Sequence, residues 1–358
     1  MKKLRVGVIG CGGISEIAHF PTYAKLRDKV ELVAAADIDI TRAQACAERY
    51  GVAQVFDNAR EMIDTVPMDM VSICTWNISH AELAVMALDA GLDVICEKPP
   101  AITVEQAQSI ADAVKRSGRI LTYGFHYRYA PEVELLKRYV DAGDLGDIYA
   151  ARALFLRRRG IPGWGVFTNK ELQGGGPLID LGVHALDTVL HIMGYPVPKT
   201  VMGATYSEIG KRKGVGLLGE WDWHNYSVED FARGMILFED GRSIILETSF
   251  ALNMEARETL QLSFLGNTGG ADLFPITLLN RSDTPLKVYT EQHGALVDIH
   301  PLYQLDPDTS YHELEVRNFV NCCLERRQPY STAEQGVLLQ KIICGLYESA
   351  QTGHAVEL

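Results

Sequence analysis

In the stretch GGGPLIDLGVHALD, residues 174–187, a carboxylate and an imidazole, Asp180 and His184, stand four residues apart in an otherwise apolar run directly behind three glycines. At helical spacing the two share one stripe, a turn apart. An imidazole titrates near neutrality and is the side chain best matched to taking a proton from a hydroxyl and returning it. Asp187 and His191 continue the stripe at i+7 and i+11, and for these two the reading is a solvated helix face. Metal binding is the alternative for Asp180 and His184, since His and Asp one turn apart can share an ion. The sequence shows no third ligand cluster, so no metal site is expected.

A second ionisable pair ends VICEKPP, residues 94–100. Proline cannot continue a central ladder, so the apolar strand stops here and leaves Glu97 and Lys98 at its carboxyl end. An arbitrary Glu-Lys dipeptide is a surface ion pair; one that terminates a buried parallel strand stands where such sheets bind ligands.

The first strand is followed by Gly10-Cys11-Gly12-Gly13-Ile14-Ser15, which matches GxGxxG with Ser15 in the third glycine position. The first glycine allows the tight turn, the second lets backbone N–H groups approach a pyrophosphate, and the third position needs only a small residue. Asp37, 22 residues beyond Ser15, ends the second strand, where a carboxylate accepts from the ribose hydroxyls of a dinucleotide and repels a 2′-phosphate. The expected cofactor is therefore NAD rather than NADP. Asp39, in the same turn, is the other candidate ribose partner, and a helix cap is the plain role for either. The segment TWNISH, residues 75–80, follows the third strand and is placed over the nicotinamide half, with His80 read as a helix-start or packing residue. The cofactor-binding set is Gly10, Gly12, Gly13, Ile14, Ser15, Asp37, Thr75, Glu97 and Lys98.

Stepping from residues to the elements that carry them, the first 120 residues alternate β-branched runs (LRVGVIG, VELVAAAD, MVSICT, DVICEK, RILTYGF) with helix-length segments at 14–27, 41–50, 79–90 and 103–117. That alternation means βαβ units and a parallel sheet. From about Tyr149 the texture changes to strand-like runs without intervening helices, and FEDGRS, residues 238–243, carries an Asp-Gly hairpin turn. Helical patterns interrupt this region at 177–193 and return at 311–327 and 333–351. The fold class is α/β plus α+β: a parallel-sheet domain over 1–123, then an α+β domain with a large, mostly antiparallel open sheet over 124–358, whose last helices pack back toward the first domain.

Taken in order, the glycine turn at 10–15, Glu97-Lys98-Pro99, the segment YGFHYRYAPEVELLK at 123–137 and Asp180-x-x-x-His184 resemble the glucose-fructose oxidoreductase and inositol dehydrogenase family, often called Gfo/Idh/MocA, over nearly the whole chain. The resemblance implies a Rossmann domain binding NAD(P) and oxidation of a secondary hydroxyl of a sugar, sugar derivative or cyclitol. It maps Lys98, Asp180 and His184 onto the family's catalytic set and implies a cis bond between Lys98 and Pro99, as in some relatives. In that chemistry His184 takes the hydroxyl proton, Lys98 stabilises the developing alkoxide, and Asp180 binds a neighbouring hydroxyl; exchanging the roles of Lys98 and His184 is equally compatible with the residues. Substrate contacts are assigned to Lys98, Tyr127, Arg157, Trp164, Asp180 and His184. Arg157 opens an arginine cluster, 157–159, that either meets a substrate phosphate or carboxylate or pairs with acidic neighbours. Rival readings on the same fold are a non-catalytic NAD-binding regulator and a glycosidase that retains its NAD.

The 358 residues carry a formal net charge of −12, which argues against a nucleic-acid or anionic-membrane partner, because both need clustered Lys and Arg. Seven cysteines without a CxxC pair suggest neither a disulfide framework nor a zinc site, so a reducing, cytoplasmic setting is expected. The N-terminal apolar run is too short for a signal peptide, and no run reaches the roughly 20 apolar residues of a membrane span. An open sheet with one apolar face implies self-association as a homodimer or homotetramer.

Overall fold

The computed structural model describes residues 3–302 and 310–358. The chain forms two compact units, Met1–His126 with Pro307–Gln340, and Tyr127–Asp306 with Lys341–Leu358.

In the first unit the strands are β1 (Leu4–Ile9), β2 (Val30–Ala36), β3 (Gln54–Phe56), β4 (Met70–Ile73), β5 (Asp93–Cys96) and β6 (Leu121–Tyr123). They form a parallel sheet in the order β3-β2-β1-β4-β5-β6. Every residue of β4 and β5 is buried, the consequence of helices covering both faces of a parallel sheet, and this is why those strands are mainly apolar, with Ser72 and Asp93 the polar exceptions. The order reverses beside β1, so the carboxyl ends of β1 and β4 flank the crevice in which such sheets bind ligands. Helices Ile40–Tyr50 and Val104–Ser117 start on side-chain caps from Asp39 and Thr103 and stop at left-handed Gly51 and Gly118. Helix Tyr311–Glu325 adds Val316, Phe319, Val320 and Cys323 to this unit's core, packed with Phe20, Tyr23, Val6 and Val8.

In the second unit β7 (Ile148–Arg157), β8 (Pro198–Tyr206), β9 (Phe231–Phe238), β10 (Ser243–Ser249), β11 (Glu258–Gly266), β12 (Gly269–Leu273), β13 (Leu286–Gln292), β14 (Ala295–Ile299) and β15 (Val356–Glu357) form one sheet. Its order is β14-β13-β12-β11-β7-β10-β9-β8-β15, antiparallel except for the central β7–β10 pair. The hairpin expected at FEDGRS joins β9 to β10, with Leu237 opposite Ser243 and Gly241 at φ +88°. Helix Val183–Met193 packs on β7 and β11 and is buried on nearly every side. On the other face the cross-strand row Met202, Met235 and Ile245 is exposed.

One element differs from its expected form. Residues 177–193 are not a single regular helix: Leu178–Gly182 form a π-helical turn, and the α-helix proper begins at Val183. A π turn adds a residue to the turn and is common at functional sites. Asp180 lies in the π turn and His184 in the first turn of the α-helix.

Candidate active site

Four strand ends of the first unit carry its candidate site residues. Gly10 has φ +91°, and a Cβ there would come within 2.6 Å of the Cys74 carbonyl group, so only glycine fits this turn. At Gly12 and Gly13 a Cβ would meet nothing within 4 Å. Packing inside the protein therefore does not require those two glycines, whereas close approach of a pyrophosphate to the backbone does. Ser15 is fully buried and its hydroxyl donates to the Gly12 carbonyl at 2.8 Å, which accounts for a small residue in the third position.

The carboxylate of Asp37 accepts from the Cys11 amide at 2.7 Å and from the Asp39 amide at 2.9 Å, so it stands against the glycine turn. Asp39 is spent on the next helix: its carboxylate caps Thr41, accepting from the amide and hydroxyl, and the Thr41 hydroxyl holds its pKa below the usual carboxylate range. Thr75 follows β4, with its hydroxyl accepting from Ser79 and its carbonyl facing His80 Nε2 at 3.1 Å. His80 is buried, and its Nδ1 faces the Pro99 carbonyl at 2.8 Å. Burial lowers its pKa, so the ring is neutral and donates to one of the two carbonyls. His80 thus has a packing role, tying the Thr75 turn to the segment that carries Lys98, whose bond to Pro99 is cis.

Glu97, expected at the cofactor, has a buried side chain with Oε1 accepting from His19 Nε2 at 3.0 Å. His19 Nδ1 lies 3.0 Å from the Ser72 hydroxyl, and Ser72 lies 2.6 Å from the hydroxyl of Tyr23. Burial alone would raise the pKa of Glu97; the His19 hydrogen bond and the nearby His312 and Lys98 bring it below its usual value. Gly124 permits the arrangement, since a Cβ there would lie 2.7 Å from Glu97 Oε2. Lys98, the next residue, is half-buried at the strand end.

In the second unit Asp180 and His184 are both buried. Tyr127 stands edge-on to the His184 ring, with centroids 5.5 Å apart and planes at 89°. The remaining members of the stripe are corrected. Asp187 and His191 do not form a solvated face: Asp187 is 1% exposed and takes a two-pronged ion pair from Arg128, itself fully buried, and a hydrogen bond from the Tyr195 hydroxyl. Burial pushes the pKa of His191 down to about 3. Arg157 is also corrected: its Nε donates to Glu258 Oε1 at 2.9 Å in a buried pair, which neutralises the charge assigned to a substrate anion. Arg158 and Arg159 reach the Glu255 carbonyl and the Asn253 side chain. Trp164 sits on a loop, 52% exposed and edge-on to Phe167.

The structure therefore gathers the glycine turn, Asp37, Thr75 and Lys98 at one sheet edge in the first unit, and Asp180, His184 and Tyr127 together in the second. Sequence reasoning missed Glu229, whose buried carboxylate accepts from the Gly176 and Leu178 amides at the entry to the π turn. Its partners lie 51 to 53 positions away in the chain, and nothing local marks it. Among the described residues no group of three or more His, Cys, Asp and Glu is placed to hold a metal, and no helix is long and apolar enough to cross a membrane.

Comparison with known proteins agrees with this geometry. A family model described as an oxidoreductase family with an NAD-binding Rossmann fold, GFO/IDH/MocA, matches residues 4–125, and the GFO/IDH/MocA C-terminal domain matches residues 133–272. The chain is 42% identical over 355 residues to the D-glucoside 3-dehydrogenase of Escherichia coli (strain K12), covering 99% of this chain and 97% of that protein. It is 31% identical over 276 residues to a putative UDP-kanosamine synthase oxidoreductase subunit of Amycolatopsis mediterranei (strain S699), covering 75% of each. Levoglucosan dehydrogenase in complex with NADH and L-sorbose superposes with a TM-score of 0.84 at 25% identity, over 100% of this chain and 99% of that one.

Proposed function

This chain belongs to the GFO/IDH/MocA oxidoreductase family and is a nicotinamide-dependent sugar oxidoreductase; from that premise we propose that it oxidises a secondary ring hydroxyl of an uncharged glucoside, using Lys98, Asp180 and His184. The observation that carries the reading is the retention of a carboxylate and an imidazole on an element that is otherwise buried and apolar. Burying such groups costs free energy, and that cost is tolerated where they handle protons. The similarity to D-glucoside 3-dehydrogenase supports the substrate class, and the neutralisation of Arg157 by Glu258 supports an uncharged substrate.

NAD would be held by the amides of the glycine turn, by Asp37 and by Thr75, and Asp37 would favour it over NADP because its carboxylate would face a 2′-phosphate. When bound, the cofactor supplies a hydride acceptor at its nicotinamide ring. The protein's residues handle the proton. The His184 imidazole takes it from the substrate hydroxyl, Lys98 Nζ donates a hydrogen bond to the same oxygen and stabilises its negative charge, and Asp180 accepts from an adjacent hydroxyl to fix the sugar's orientation. Tyr127 and Trp164 offer flat apolar surfaces to the sugar ring. A second copy of the chain covers the exposed row Met202, Met235 and Ile245, and seven cysteines without a CxxC pair suit a cytoplasmic setting.

The test is NADH formation, followed by absorbance, over a panel of alkyl glucosides, inositols, sugar phosphates and uronates, with NAD and NADP in parallel. Turnover of a neutral glucoside with NAD at least about tenfold above every charged sugar is expected, the difference a single unpaired charge makes. Preference for a sugar phosphate would overturn the assignment.

A further inference from the structure

The three glycines ahead of Asp180 have two kinds of explanation, backbone conformation at the first and close neighbours at the other two. Gly174 ends the short helix Lys170–Gln173 at φ +82°. A Cβ on Gly175 would come within 2.0 Å of the Tyr347 hydroxyl, and one on Gly176 within 2.3 Å of the Glu229 carbonyl oxygen. Gly175 and Gly176 thus admit the Tyr347 side chain and the Glu229 backbone of this same unit to the start of the π turn.

That start needs them. The N-cap is Pro177, and no side chain caps the turn locally, while the first amides of any helix lack intrahelical acceptors. Glu229 supplies the acceptors from a distance: Oε2 accepts from Gly176 N at 3.0 Å, and Oε1 accepts from Leu178 N at 3.0 Å and from the Tyr347 hydroxyl at 2.8 Å. The Tyr226 hydroxyl donates to the Glu229 carbonyl at 3.0 Å and fixes the backbone that presents the carboxylate. Asp180 is two residues beyond the last of these amides and His184 one turn further.

We propose that Glu229 and Tyr347 are positioning residues that suspend the π turn and so set the placement of Asp180 and His184. The inference rests on the reading that those two residues act on the substrate. The groups facing the Glu229 carboxylate are the Gly176 and Leu178 amides and the Tyr347 hydroxyl, with Tyr226 on its own loop; burial outweighs these donors and raises the Glu229 pKa above the usual carboxylate range. As pH falls through that raised value the carboxyl gains a proton, one acceptor becomes a donor facing an amide, and the turn loosens.

The experiment uses the full chain with Glu229→Gln, Tyr347→Phe and Asp180→Asn. For Glu229→Gln, kcat/KM for the sugar falls about 10- to 100-fold, the cost of misplacing reacting groups by about an ångström, while the NADH Kd stays within about twofold. Amide exchange in residues 174–182, corrected for intrinsic rate, speeds up on acidification in the wild type and is fast at all pH in Glu229→Gln. Tyr347→Phe shows a smaller loss of the same kind and decides the matter if Glu229→Gln does not fold. Folded variants with wild-type kcat/KM and wild-type protection of 174–182 overturn the proposal. Full activity in Asp180→Asn overturns instead the reading on which it rests.

Discussion

Asp187→Ala separates the two accounts of the helix stripe. On a solvated face its removal is worth within about 0.5 kcal/mol. In the structure Asp187 is 1% exposed and Arg128 fully buried, joined by Nε–Oδ2 at 2.9 Å and Nη2–Oδ1 at 2.6 Å, with the Tyr195 hydroxyl on the same carboxylate at 2.5 Å. Truncation leaves a guanidinium buried without its counter-charge, which costs about 3–5 kcal/mol. The Tyr195 hydroxyl loses an acceptor as well, for about 1 kcal/mol more. With a shift of roughly 2–4 °C per kcal/mol for a unit of this size, the thermal midpoint falls by about 10 °C or more. Replacing both partners by apolar residues, Arg128→Met with Asp187→Leu, restores most of the loss, because an ion pair exchanged for packed hydrophobic groups is close to neutral. Scanning calorimetry of the single and double variants is the assay. A single variant melting within about 2 °C of wild type would refute the buried-pair account.

Two further outcomes follow from the first unit. Gly12→Ala leaves stability unchanged, because its Cβ enters open space, but weakens NADH binding by about tenfold or more; Gly10→Ala, with its Cβ 2.6 Å from the Cys74 carbonyl, lowers stability by about 2 kcal/mol or more. Fluorescence titration and denaturant unfolding distinguish the two, and equal behaviour would be evidence against the glycine roles. Glu97 has a lowered folded pKa, so its contribution to stability is present above its unfolded value of 4.5 and is lost as pH falls through the folded value. His19→Ala removes the chief support of the ionised form, and the acid unfolding midpoint followed by circular dichroism moves to higher pH. An unchanged midpoint would show that the His19 contact does not hold the carboxylate.

Much of this was legible in the chain, for physical reasons that differ by element. The strands β1, β2, β4 and β5 read plainly because most of their positions are buried and apolar, whereas the three-residue edge strand β3 gave no signal. The glycine turn, with Asp37 set against it, was legible because the residue pattern that forms it is local. Asp187 was misread because polar residues at helical spacing look the same whether they face water or a partner; its partner Arg128 is 59 positions away. The burial of Glu97 was not legible because its partner His19 comes from another strand–helix unit, 78 positions away. The glycines of 174–176 were visible as glycines, but the reason for Gly175 and Gly176 lies in Tyr347 and Glu229.

The central claim, that His184 and Lys98 handle the proton of a sugar hydroxyl, is tested most directly by kcat/KM for glucoside oxidation in His184→Gln and Lys98→Ala, with the NADH Kd measured on the same preparations. Loss of a general base or its electrostatic partner predicts a fall of about 10²- to 10⁴-fold with the Kd nearly unchanged. Variants that turn over the sugar within about twofold of wild type, a difference of about 0.4 kcal/mol in the barrier, would contradict it.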